Sequence, residues 1–221
     1  MRGSRGLYAN VLAVAVCALV YELLCGTLAS YLLGDAVVQF SLVLGTYLFA
    51  MGAGAWTSKR FEAQAAARYV QAELLLAIVG GLSVPLLLLA VQARLPLRPL
   101  LHAVVFVVGA LVGLELPLLV RILRDAGGQS FKDTVARAFA WDYAGALAAS
   151  ILFPLVLVPR LGLVKTSVLT GAVNAVVALS ATFLLRLDRR ALVFRGAGAA
   201  VLCALAFAFF RAEGWVRTAT D

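Results

Sequence analysis

Four acidic residues stand alone inside long apolar stretches of this 221-residue chain: Glu22, Glu73, Glu115 and Asp142. A carboxylate surrounded by hydrocarbon costs at least a few kcal/mol, so such a residue is kept for a basic side chain, a bound cation or a proton. Two arrangements are open. Either the acids line one polar chamber that welcomes positive charge, or they pair with Lys59, Arg60, Arg121, Arg124 or Arg137 and lock helix ends at one membrane surface. The second suits Glu73 and Asp142, one turn from the interface. The first suits Glu22, which is too deep for an easy partner, and Glu115, which precedes Pro117; the missing proline amide frees a carbonyl beside it. Tyr21, Trp141 and Tyr143 neighbour these acids, and aromatic faces attract organic ammonium groups by roughly 0.5 to 2 kcal/mol. Interfacial aromatic belts give the same residues a plainer role. The candidate cation site is therefore Glu22, Glu115, Glu73 and Asp142, with Tyr21 and Tyr143.

Other polar residues carry less. Asn174 falls mid-helix and needs a hydrogen-bond partner across helices, and His102 sits at a helix end where a headgroup or capping role is expected. Cys17, Cys25 and Cys203 lie in apolar runs without paired spacing and are read as core thiols. The chain contains no phosphate-cradling glycine loop, no His/Cys metal cluster and no nucleophile elbow, so no catalytic site, metal or cofactor is expected within it.

The elements that position the acids are helices in a bilayer. The composition is 63% hydrophobic and 14% charged, far from the roughly one quarter charged of soluble domains. Only helices or closed barrels satisfy backbone groups in lipid, and the long apolar runs choose helices. Seven spans are predicted, at about 7–33, 37–56, 69–91, 100–122, 137–158, 163–185 and 191–210, in a single domain with no link long enough to hold another. Gly34-Asp35, Pro96 with Pro99, and Pro159 with Gly162 mark turns. Met1 to Ser30 has the flavour of a signal peptide, but Glu22 interrupts its apolar run and no small-residue cleavage site follows, so retention is expected.

The net charge of +8 would suggest nucleic acid in a soluble protein. Here the cations sit in short links and read as topology signals. With the N-terminus inside, thirteen of the 19 Lys and Arg residues fall on the inner side and six on the outer, predicting a multi-pass protein of a bacterial-type inner membrane with its N-terminus cytoplasmic and its C-terminus outside.

A weak internal repeat relates Glu22 to Glu115, Thr46-Tyr47 to Asp142-Tyr143 and Leu82-Ser83 to Leu179-Ser180 at an offset of roughly ninety-five residues. Three spans separate the copies, so the units would enter the membrane from opposite sides as a 3+3 inverted repeat plus a seventh helix. A chance match among Leu/Ala-rich helices gives the same signal. Gly52 and Gly54, Gly109 and Gly113, and Gly145 with Ala149 offer small faces for close helix approach.

The runs Leu19-Val-Tyr-Glu-Leu-Leu-Cys-Gly-Thr-Leu-Ala-Ser-Tyr-Leu-Leu-Gly-Asp35, Gly45-Thr-Tyr-Leu-Phe-Ala-Met-Gly-Ala-Gly54, Gln71-Ala-Glu-Leu-Leu, Gly113-Leu-Glu-Leu-Pro-Leu-Leu, Trp141-Asp-Tyr-Ala-Gly-Ala-Leu and Phe153-Pro-Leu-Val-Leu-Val-Pro-Arg-Leu-Gly162 resemble the membrane-embedded spermidine synthases. In that family a seven-helix domain similar to part of a major-facilitator transporter precedes a soluble aminopropyltransferase domain. The resemblance implies polyamine biology and brings no catalytic residue, because the nucleotide loop and catalytic acids belong to the soluble part. It leaves open whether this is the membrane half of a longer synthase or a stand-alone relative. Thr57-Ser-Lys-Arg60 lacks the aspartate of the usual transporter loop, which argues against active transport. Three roles follow: a domain that binds or passes a polyamine-like organic cation; a membrane anchor or assembly subunit for an aminopropyltransferase or another partner; or a fragment of a full-length spermidine synthase.

Overall fold

The structure, a computed structural model, describes residues 2–126, 130–185, 187 and 191–220. Arg186, Arg189 and Arg190, and the side chains of Arg2, Arg5 and Arg217, all used in the charge count, lie outside the described residues or side chains. Every regular element described is helical, as composition predicts: α1 (Arg2–Leu33), α2 (Ala36–Thr57), α3 (Ala65–Gly81), α4 (Ser83–Gln92), α5 (Leu97–Ala126), α6 (Phe131–Leu152), α7 (Val158–Leu184) and α8 (Ala191–Thr220).

Six helical stretches are long and apolar enough to cross a bilayer, by length and composition. The third, Ala65–Gln92, joins α3 to α4 through Leu82, whose φ of −100° and ψ of 4° leave the helical region. Pro85 has no amide to offer the carbonyl of Gly81, four residues back. Ser167 repairs the break from α7: its hydroxyl donates to the Gly81 carbonyl at 2.6 Å and reaches the Gly80 carbonyl at 3.1 Å, while Ser83 donates to Gly80 at 2.7 Å.

The fifth stretch, Phe131–Leu184, is 54 residues long and contains both of the spans predicted at 137–158 and 163–185. A straight helix of that length would measure roughly 80 Å against a hydrocarbon layer of about 30 Å. It is not straight. Phe153–Leu157 forms a π-helical turn around Pro154, and Gly162 takes φ 71° and ψ 174°, a conformation that fits glycine. The core reports the result. One apolar cluster gathers Leu7 and Val14 with Tyr69, Leu118, Ala138 and Ala178; another gathers Cys17 and Leu28 with Val43, Leu101, Ala149 and Val164. α6 meets the first cluster before the second and so runs parallel to α1, whereas residues 163–184 meet them in reverse order and run antiparallel. The chain turns back at Pro159–Gly162.

α1 forms the axis, touching α2, α5, α6 and α7. α2 lies on α5 with backbones in close contact: a Cβ at Gly54 would strike the Ala110 carbonyl, and one at Gly113 the Met51 carbonyl. α6 lies on α1 in the same manner, Gly145 facing the Leu12 carbonyl at 2.6 Å from an added Cβ. Gly171 sets α7 against Ala77 and Gly81 of α3. Gly52, counted among the small faces in the sequence, meets nothing. α2, α6 and α8 are peripheral and expose large apolar side chains, among them Leu48, Phe49, Leu147, Ile151 and Phe207.

Candidate intramembrane acidic site

The helices bring the four acids together: Glu22, Glu115 and Asp142 line one cleft, and Glu73 lies beside Glu115. Glu73 of α3 is 0% exposed and Glu115 of α5 is 1% exposed, so both carboxyl groups are sealed from the surface. They face each other across the α3–α5 interface, close enough for each to act on the other's charge. Asn174 Nδ2 donates to Glu73 Oε2 at 2.7 Å, and the Tyr21 hydroxyl donates to Asn174 Oδ1 at 2.9 Å. The Tyr69 hydroxyl lies beside Glu73. Glu73 Oε1 and both oxygens of Glu115 have no hydrogen-bond partner among the described residues.

In front of Glu115 a half-open cleft of about 200 Å³ lies between α1, α2, α5 and α6. Three acids line it: Glu22 from α1, Glu115 from α5 and Asp142 from α6. Tyr47 of α2 and Tyr143 of α6 stand on its two flanks, and Val112, Leu116 and Met51 supply apolar wall. Glu22 and Asp142 are half-buried and Tyr143 is 67% exposed, so the cleft has a polar floor and an accessible rim.

None of the four acids forms an ion pair among the described residues. Of the five cations proposed in the sequence to lock them, Arg121 donates to the Ser58 carbonyl at 2.9 Å, Arg124 meets the exposed Asp125 at 3.4 Å, and Arg60 lies 5.6 Å over the Trp56 ring. Among the described residues no group of three or more His, Cys, Asp or Glu is placed to hold a metal ion.

The grouping of site residues in the sequence divides into two places. Glu22, Glu115, Asp142 and Tyr143 line the cleft. Glu73 stands behind it, next to Glu115, and Tyr21 points away from the cleft toward Asn174. Trp141 is exposed and does not line the cleft. Tyr47 was not grouped with the acids, although its repeat partnership with Tyr143 marked it: the two aromatics flank one cleft, as Glu22 and Glu115 share one floor. Two smaller readings are corrected. Cys203 is exposed on α8 and is no core thiol, whereas Cys17 and Cys25 are buried. His102 holds α5 to α2 through a 3.1 Å contact with Thr46 Oγ1.

Comparison with known proteins finds relatives that are named polyamine aminopropyltransferases. The chain is 44% identical over 204 residues to a polyamine aminopropyltransferase of Leptospira interrogans, covering 92% of this chain and 41% of that protein. It is 50% identical over 179 residues to polyamine aminopropyltransferase 2 of Ralstonia nicotianae, covering 80% of this chain and 35% of the relative. Against polyamine aminopropyltransferase 2 of Streptomyces coelicolor the identity is 43% over 227 residues, covering 96% and 40%. The chain is similar to part of these enzymes. It spans about two fifths of their length. No family model matches it, and no solved structure does.

Proposed function

We propose that the chain is the membrane-embedded part of a polyamine aminopropyltransferase-like protein, crossing the bilayer seven times, and that its cleft binds a polyamine-like organic cation. The observation that carries this reading is the cleft floor: three acidic residues from three helices, Glu22 and Asp142 half-buried and Glu115 with its carboxyl just beneath, none in an ion pair among the described residues. A flexible amine with several positive charges matches such a floor, because ion pairs in a dry site are favourable only when nearly every charge is met. Its methylene segments would lie against Val112, Leu116 and Met51, and its ammonium groups within reach of the Tyr47 and Tyr143 rings. The inverted repeat supports the same site. α2 on α5 mirrors α6 on α1, α3 on α5 mirrors α7 on α1, and two repeat-related pairs, Glu22 with Glu115 and Tyr47 with Tyr143, meet at the cleft, where inverted-repeat proteins build their sites. The kinship to a major-facilitator half belongs to this reading too.

Titration of the detergent-solubilised protein with putrescine and spermidine tests it. Binding heat is expected for the native chain, weakened about tenfold or more, ~1.4 kcal/mol, in Glu22→Gln/Asp142→Asn. Equal binding by both proteins would remove the cleft from the reading. No binding by either would leave the chain as an anchor for an aminopropyltransferase, the reading that the names of its relatives also support.

A further inference from the structure

The Glu73–Glu115 pair lies behind the cleft and is not needed to line it, yet it is the more deeply sealed feature. Two carboxyl groups, 0% and 1% exposed, stand side by side with no ion pair among the described residues. Among the described residues the titratable groups that act on them are all acids: Cys17 and Tyr21 from α1, Tyr47 from α2, Tyr69 from α3 and Asp142 from α6, with Glu22 across the cleft. α7 contributes the neutral amide of Asn174. Like charges at close range in a dry interior cannot both persist.

The hydrogen-bond inventory leads to the same point. Tyr21 donates to Asn174 and Asn174 donates to Glu73 Oε2, while the buried Tyr69 hydroxyl beside Glu73 has no hydrogen-bond partner among the described residues. Glu73 Oε1 and both Glu115 oxygens receive nothing among the described residues. The Tyr69 hydroxyl can serve Glu73, but for the Glu115 oxygens a carboxyl proton shared with Glu73 is the donor at hand, since a protonated acid both gives and accepts a hydrogen bond.

We infer that Glu73 and Glu115 share a single proton when no cation occupies the cleft, and that binding of an organic cation there expels it. The inference rests on the proposed cation site and adds the exchanged ion. Glu115 is the link because it belongs to both places, facing Glu73 on one side and the cleft on the other. When a cation settles on the floor, its charge stabilises a second carboxylate beside it. The shared O–H bond then breaks, the proton passes through the cleft mouth to solvent, and both groups remain ionised toward the cation. A diamine such as putrescine brings two positive charges and displaces one, so the site's net charge rises by one unit instead of two, which eases the entry of a charged guest into a dry chamber.

The experiment separates the two claims. In the ligand-free, detergent-solubilised chain at neutral pH, infrared spectroscopy should show the carbonyl stretch of a protonated carboxyl, absent from Glu73→Gln/Glu115→Gln, whose amides match the shape of protonated Glu. Its absence from the native chain, or its full survival in the double variant, overturns the shared proton. Calorimetric titration with putrescine in buffers of different ionisation enthalpy should report release of about one proton per ligand by the native chain and near none by the double variant. Buffer-independent heats overturn the exchange. Should putrescine give no heat at all, the cation site fails and the exchange with it, while the infrared result still decides the proton on its own.

Discussion

Asn174 is the polar residue whose placement does most to define the interior. A lone amide in an apolar helix announces that a partner exists on another helix, and the sequence carries that much. It does not carry the identity of the partner. Nothing in the spacing of Tyr21, Glu73 and Asn174 says that three helices aim them at one point; that follows from the glycine contact of Gly171 with Ala77 and Gly81, which sets the depth of α7 against α3. The acids were legible as a group for a different reason: a charge in an apolar run is conspicuous wherever it falls. Their division into a cleft floor and a sealed pair was not legible, because it depends on which side of α5 each neighbour occupies. Replacing Asn174 by Leu strips Glu73 Oε2 of its donor and leaves the Tyr21 hydroxyl only the Leu76 carbonyl, 3.5 Å away. A loss of about 1–3 kcal/mol is expected, read as a lower midpoint of unfolding in detergent, whereas Ser150→Ala, whose hydroxyl makes an exposed contact within its own helix, should leave the midpoint in place.

The all-helical class is readable from the apolar runs, whereas the bounds depart from the expectation, as at 137–158 against Phe131–Leu152 and at 191–210 against Ala191–Thr220. The link between α6 and α7 shows why the reading and the geometry differ there. Proline and glycine at 154, 159 and 162 signal a break, yet the backbone keeps helical hydrogen bonding through a π-helical turn up to Gly162, so the reversal occupies a corner and not a loop. The small faces were also partly readable. Of the two glycines in the last turns of α2, Gly54 meets the Ala110 carbonyl and Gly52 meets nothing, a distinction of about half a helix turn that composition cannot make. At Gly54 and Gly113 the added carbon would meet backbone, which cannot rotate away, so the helices themselves must part. Gly113→Val should therefore lower the unfolding midpoint by an amount equal to about 1–3 kcal/mol and, by prising α2 from α5, open the wall between Met51 and Val112 that lines the cleft. Gly52→Ala should be neutral or stabilising by up to about 1 kcal/mol, as an exposed helical glycine replaced by the best helix former.

At the scale of the whole molecule, charge decides how the bundle sits. The described cations divide between its ends: Lys59, Arg60, Arg68, Arg121, Arg124, Lys132, Arg137 and Arg195 lie toward the end where α1 begins, and Arg94, Arg98, Arg160, Lys165 and Arg211 toward the other. The richer end is expected to face the cytoplasm. Its lining runs over residues 11–22 of α1 and 112–119 of α5, from the middle of the bundle toward the cation-rich end, so in the proposed orientation its mouth would open to the inner half of the membrane. Seven crossings also place the chain termini on opposite sides, whereas six would bring them together. A green fluorescent protein fused at the N-terminus should fluoresce in cells, and alkaline phosphatase fused after Asp221 should be active, because the first matures inside and the second outside. An inactive phosphatase, with a fluorescent protein that lights up at the same position, would put both ends inside. It would mean either that the Phe131–Leu184 stretch does not cross twice or that α8 does not cross at all, and the inner mouth of the cleft would then have to be argued from the first five helices alone.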